Sequence, residues 1–123
     1  MLKTKVVEGR SWTKTLALDG RLDNESVHEL DDVLDAALAS SVKVLVFDLG
    51  NLEYITSAGL RSVFRAQKVM AARGGKTMLL NPQPQVQKVL DIVKIPDLSS
   101  IFRSVEELDA YLDEMQKKVV RGE

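Results

Sequence analysis

Six consecutive residues near the middle of the chain, Ile55-Thr56-Ser57-Ala58-Gly59-Leu60, set two hydroxyls side by side and follow them with two very small side chains. Hydroxyls at the start of a helix do one of two things. They can cap it, accepting a hydrogen bond from a free backbone N–H in the first turn, which is worth roughly 1 kcal/mol. They can also carry a phosphate, because the spot is reachable by another protein and the positive end of the helix tolerates added negative charge. Position alone leaves both readings open. Ala58 and Gly59 offer little bulk to hide either hydroxyl.

Asp48 closes an apolar run and is a candidate phosphoacceptor of the receiver-like α/β kind. Against that, the chain opens with a hairpin and lacks the acidic pair after a first parallel strand that would hold the metal. Arg61, Arg65 and Lys68 follow Ser57 at spacings that make a basic stripe on one helix, while Glu25, Glu29, Asp32 and Asp35 crowd the helix before it. The two stripes read equally well as solvated faces or as docking surfaces. Arg61, one turn beyond Ser57, is also placed to pair with a phosphate there. Gly50, Gly59, Gly74 and Gly75 make neither a P-loop nor a dinucleotide fingerprint, since the spacing and the following Lys-Ser/Thr are missing. The lone His28 falls among acids on a polar helix face and reads as a solvated residue. No metal site and no cofactor are expected.

The elements that position these residues are legible from periodicity. Lys3–Glu8 and Trp12–Asp19 are predicted strands joined by Glu8-Gly9-Arg10-Ser11, a connection typical of an antiparallel hairpin. Trp12, Lys14, Leu16 and Leu18 are assigned one side of the second strand. After Asp19-Gly20-Arg21-Leu22-Asp23, Asn24 is the expected cap of a helix with Val27, Leu30, Leu34, Ala37 and Leu38 inward. Asp23 reads as preparation for that helix start beside Asn24. Val44-Leu45-Val46-Phe47, inside Val42–Leu49, marks a strand covered on both faces. Gly50–Thr56 is predicted as a loop, and the helix after it turns Leu60, Val63, Phe64, Met70 and Ala71 inward before Gly74-Gly75 stops it. Lys76–Leu80 is another buried strand. A third helix carries Val86, Val89, Leu90 and Val93, with Pro96 barring its continuation. Leu98–Phe102 is a short edge strand. The capping-box spacing Ser104-Val105-Glu106-Glu107 opens a last helix striped by Leu108, Tyr111, Leu112, Met115 and Val119. Alternation of strands and helices gives an α/β fold, a mixed, mostly parallel sheet with an N-terminal β-hairpin and about four α-helices.

Three segments together, Leu18-Asp19-Gly20-Arg21-Leu22-Asp23, Val44-Leu45-Val46-Phe47-Asp48-Leu49 and Ile55-Thr56-Ser57-Ala58-Gly59-Leu60, resemble the STAS-domain family of bacterial anti-sigma factor antagonists. Their joint order and spacing carry the resemblance, which runs from about Lys3 to about Leu112. It implies one STAS-like domain over residues 1–123, with a core of about 3–115 and a frayed tail at Arg121-Gly122-Glu123. It further implies a regulator, not an enzyme, that binds an anti-sigma factor which is also a serine kinase of the histidine-kinase-like ATPase superfamily. That kinase would phosphorylate Ser57, and a metal-dependent serine phosphatase would remove the mark. The partner-binding surface implied is Asp23, Thr56, Ser57, Ala58, Gly59, Arg61, Arg65 and Lys68. Many members carry an acid before the acceptor serine and a second serine after it. Thr56 and Ala58 stand there in this chain, which makes Thr56 a second candidate acceptor and removes one competing hydroxyl. STAS domains in lipid-transport, stress-signalling or secretion-regulating assemblies are the alternative setting.

Bulk properties agree with a small regulator. The 123 residues match one domain of ordinary size. Seventeen basic against 18 acidic residues give a formal charge of -1, far from the positive field of a nucleic-acid binder. Cysteine is absent, which excludes disulfide scaffolds and thiol chemistry and suits a reducing compartment. No apolar stretch approaches the length of a membrane span or a signal peptide, so no membrane insertion and a cytoplasmic location are expected.

Overall fold

Chain order is β1 (Leu2–Glu8), β2 (Thr13–Leu22), α1 (Val27–Leu38), β3 (Val44–Ile55), α2 (Ser57–Ala72), β4 (Lys76–Leu80), α3 (Pro84–Val93), β5 (Ser100–Phe102) and α4 (Val105–Val120). The structure, a computed structural model, describes residues 2–93, 100–102 and 104–120. Pro96, the first part of the Leu98–Phe102 strand and the tail 121–123 lie outside the described residues. One sheet holds the strands in the order β1-β2-β3-β4-β5. β1 is antiparallel to β2, and every later neighbour is parallel, as helical crossovers require.

The apolar run in β3 is explained by two separate cores. Leu45 and Phe47 point into a layer with Leu16, Leu18 and Leu79 of the neighbouring strands and with Leu30, Leu34, Val63, Met70, Val86 and Leu90 from α1, α2 and α3. Val44 and Val46 point the other way, to Met78, Leu80, Phe102 and the α4 residues Leu108 and Leu112. A strand clad on both faces has no place for the polar half of an alternating pattern. α4 is further tied to the β1–β2 connection by Arg10, whose guanidinium donates to Asp113 and Gln116 at 2.8 Å each.

Several expectations need correction. β3 runs through Ile55, so the predicted loop at Gly50–Thr56 is mostly strand. β2 likewise continues to Leu22 and pairs Leu52, Tyr54 and Ile55 with Gly20, Arg21 and Leu22, with register shifts at Ala17/Asp19 and Gly20/Arg21 that scramble the alternation. Past the end of β4, the free edge of β3 is met by two glutamines, one just before α3 and one in its first turn: the Gln83 amide donates to the Gly50 carbonyl (2.9 Å) and the Gln85 amide to the Glu53 carbonyl (3.1 Å). Trp12 precedes β2 and packs with the α4 core, opposite Leu16 and Leu18, because the chain is still turning there. Ala71 and Val93 are exposed, each at the fringe of its helix stripe, and half-buried Leu60 and Phe64 yield the centre of α2 to Ser62, Ala66 and Gln67.

Gly74, at φ +75°, ends α2 in the left-handed region, as the Gly74-Gly75 stop predicts. Gly75 lets the chain pass close to the Lys43 carbonyl, where a Cβ would stand at 2.8 Å. Among the described residues, no helix is long and apolar enough to cross a membrane.

Candidate functional site

β2 and β3 end side by side, Leu22 opposite Ile55, so α1 and α2 begin at neighbouring points beyond the carboxyl end of the sheet. Open α/β sheets place their sites there. The two starts are built differently.

At α1 a four-residue turn intervenes. The Asp23 carboxylate accepts the backbone N–H of Glu25 (3.0 Å) and of Ser26 (3.1 Å). The Ser26 hydroxyl donates to the Arg21 carbonyl at 2.8 Å and accepts the Asp23 N–H at 3.0 Å. Ser26, not Asn24, is the N-cap residue, its side chain turned back into the preceding turn and making no capping bond to α1, and Asn24 is exposed. The hydrogen bond from the Ser26 N–H, helped by that of Glu25 and the Ser26 hydroxyl and opposed by partial desolvation, holds the Asp23 carboxyl below its ordinary value.

At α2 nothing intervenes. Thr56 is the extended N-cap residue, with φ -104° and ψ 176°, and its side chain makes no capping hydrogen bond. Its backbone N–H donates to the Leu22 carbonyl at 3.0 Å, and its half-buried hydroxyl faces the same carbonyl at 3.4 Å. Ser57 follows as the first helical residue and is exposed. Ala58 and Gly59 are buried, and a Cβ on Gly59 would stand 2.6 Å from Leu22 Cγ and 3.0 Å from Ile55 Cγ1. Their small size lets α2 start directly against the strand ends, and this is what turns Ser57 outward.

Among the described residues the basic stripe meets the acids of α1 through Arg65. Arg65 donates to Asp35 at 2.8 Å and to Asp31 at 3.1 Å, and Asp31 also accepts the hydroxyl of buried Ser62 at 2.7 Å. These contacts lock α2 to α1. The Lys68 ammonium lies 4.7 Å from the Phe64 ring centre. Arg61 is exposed and lines a shallow groove of about 240 Å³ between the helices, with Val27, Asp31, Ala58, Ser62 and Arg65.

Asp48 is half-buried, and its carboxylate accepts the Gly50 N–H at 3.0 Å. With Lys3, Lys5, Asp19 and Asn51 it borders an open groove of about 420 Å³. Among the described residues, no three His, Cys, Asp or Glu side chains gather as a metal site. His28 is exposed. One pair passed over in the sequence is Arg21 and Tyr54, whose guanidinium and ring are 4.4 Å apart on an exposed rim of the β2–β3 end. Only the extended pairing of β2 with β3 brings them together, and the sole signal in the residues was an aromatic side chain between Glu53 and Ile55.

The fold and this end of the sheet define a class: a small α/β domain that displays a serine where its central strand hands over to a helix. The family model described as "STAS domain" matches residues 4–108, and the chain belongs to that family. Over 78 residues it is 31% identical to the anti-sigma F factor antagonist of Lysinibacillus sphaericus, covering 63% of this chain and 67% of that one. Its fold is similar to that of the anti-sigma factor antagonist SpoIIAA in unphosphorylated form, with a TM-score of 0.70 at 22% identity over 93% of this chain and 98% of the other. The phosphorylated form of the Bacillus cell fate determinant SpoIIAA gives 0.72 at 22% identity, over 89% and 99%. An anti-sigma factor antagonist from Mycobacterium paratuberculosis gives 0.77 at 19% identity, over 89% and 93%.

Proposed function

We propose that this protein is an anti-sigma factor antagonist that works as a phosphorylation-controlled partner switch. With Ser57 bare it binds an anti-sigma factor that is also a serine kinase of the histidine-kinase-like ATPase superfamily, and so frees that factor's target. Phosphorylated on Ser57 it releases the kinase, and a metal-dependent serine phosphatase resets it. The protein acts by binding in the cytoplasm, with no catalysis of its own. The observation that carries this reading is the exposed Ser57 at the first position of α2, set outward by buried Ala58 and Gly59. Support comes from the relatives, which are named as anti-sigma factor antagonists and include one in a phosphorylated form.

Electrostatics supplies the switch. A phosphate adds about -1.5 to -2 charges near neutral pH. Left unpaired in a closed protein interface, a charge costs roughly 2–5 kcal/mol, and each 1.4 kcal/mol is about tenfold in affinity. One modification of an exposed hydroxyl therefore displaces a partner without unfolding the domain. Thr56 is the poorer acceptor, being half-buried with its hydroxyl toward the Leu22 carbonyl. Asp23 and Arg65 support the surface from within, since their charged groups are engaged in the α1 turn and the α1–α2 contact.

Incubation with the cognate kinase and ATP, followed by mass spectrometry, is expected to place phosphate on Ser57. An unmodified Ser57 in the presence of active kinase would overturn the reading. Ser57→Ala is expected to keep kinase binding and Ser57→Asp to weaken it.

A further inference from the structure

α2 and its C-cap carry four cations, and three of them are already engaged. Arg65 is paired with Asp31 and Asp35. Lys68 rests against the ring of Phe64. Arg73 donates to the carbonyls of Leu38 (2.7 Å) and Ser40 (2.8 Å), tying the far end of α2 to the end of α1. Arg61 makes no ion pair and no hydrogen bond among the described residues, and it is exposed beside the groove of Val27, Ala58 and Ser62. It is also the cation one helical turn beyond Ser57.

We infer that Arg61 receives the phosphate of phospho-Ser57 and folds it back along α2 over the groove between α1 and α2. This rests on Ser57 being the acceptor. Residues at i and i+4 face each other on a helix, and an anion placed N-terminal to its cation is the more favourable order. A guanidinium presents a planar fork of donors that matches phosphate oxygens, so the pair can be bidentate. Arg65 cannot substitute without leaving two carboxylates, and it lies about 12 Å from Ser57 along the axis. Thr56 precedes the helix and has no i,i+4 relation to Arg61, so a phosphate on Thr56 would not be held in this way. Modification of Ser57 then withdraws two features at once: the hydroxyl is blocked and the uncommitted cation is neutralised. The local charge passes from +1 to between roughly -0.5 and -1.

The test is a ³¹P NMR pH titration of the full chain carrying phosphoserine at position 57, installed during translation so that no kinase is needed. The second ionisation of the phosphate is expected a few tenths of a pH unit lower in the parent than in Arg61→Gln, the size of an exposed i,i+4 pair. Arg61→Lys should restore part of the gap, and 1 M salt should shrink it. Arg65→Gln should leave the titration where it is. ¹⁵N spectra establish that each variant keeps the fold. Identical titrations for the parent and Arg61→Gln, or a larger effect from Arg65→Gln, would overturn the assignment. Such a failure is separable from failure of the switch itself, which the kinase experiment reads on unmodified protein.

Discussion

α1 and α2 begin at neighbouring points beyond the carboxyl end of the sheet, yet one start is sealed and the other left open. At α1 the Asp23 carboxylate and the Ser26 hydroxyl engage two backbone N–H groups, a carbonyl and the Asp23 N–H. Neither N-cap side chain bonds an N–H of its own helix, but at α2 the Thr56 hydroxyl reaches only the Leu22 carbonyl, at 3.4 Å, and the following serine faces solvent. A sealed start needs a turn long enough for side chains to fold back, and α1 has one. α2 is seated straight onto Leu22 and Ile55 through Gly59, which leaves no turn and no chain to spare. The same close seating that fixes the helix is what leaves its first hydroxyl accessible.

The sharpest way to break the contrast is Gly59→Ala. Its Cβ would stand 2.6 Å from Leu22 Cγ in a fully buried contact, so the helix start must lift or Leu22 must move. Overpacking of this kind costs up to about 3 kcal/mol, and alanine's better helix propensity returns about 1. A net loss of about 2 kcal/mol is expected, read as a fall in the urea midpoint. A variant as stable as the parent would mean that α2 is not held where Ser57 needs it.

Next comes Ser26→Ala, which strands the Arg21 carbonyl and the Asp23 N–H and is expected to cost about 1–2 kcal/mol in the same unfolding measurement. Asp23 adds a pH signature to this start. Its carboxyl is held below its ordinary value in the folded chain, so its contribution is fully present above the unfolded-state carboxylate pKa. That contribution fades as pH falls through the lower folded-state value. Asp23→Asn keeps an acceptor oxygen and removes the charge; comparing the acid limbs of the stability curves should show a flatter profile for the variant. Equal slopes would exclude a role for the carboxylate charge.

How much of this was readable in the residues alone divides along the same line. The hairpin, the parallel crossovers, the doubly covered Val44–Phe47 run and the Gly74 stop follow from local chemistry, and each stands in the structure. So does the outward Ser57, since small residues after a strand-to-helix junction are a local signal. The extension of β3 to Ile55 was not readable. Two register shifts break the alternation of Asn51–Ile55, and the Gln83 and Gln85 amides that meet its free edge come from a segment distant in sequence. The stripe of Arg61, Arg65 and Lys68 and the acids of α1 could each be seen, but not that Arg65 reaches Asp31 and Asp35 across the helix pair. Of the three cations of the stripe, Arg61 is the one left without a partner among the described residues.

Arg65→Ala sharpens the comparison from the side. Its two ion pairs join α2 to α1 with the Arg65 side chain 42% exposed, where solvent screens most of the attraction. A loss of about 0.5 kcal/mol is expected at low salt, shrinking toward zero at high salt. A larger, salt-insensitive loss would point instead to the packing of the arginine stem.

The smallest expected effect is the most discriminating. Replacing a threonine N-cap by alanine ordinarily costs about 0.5–2 kcal/mol, because the hydroxyl satisfies a backbone N–H. In this chain the Thr56 hydroxyl makes no such bond, and its 3.4 Å approach to the Leu22 carbonyl is long for an O–H donor. Thr56→Ala is therefore expected to cost less than about 0.5 kcal/mol by urea unfolding. Thr56→Asp, which supplies an acceptor beside the positive helix end, should gain up to about 1 kcal/mol. Were Thr56→Ala to cost as much as Ser26→Ala, the start of α2 would be as firmly sealed as that of α1, and the openness that sets Ser57 apart would be lost.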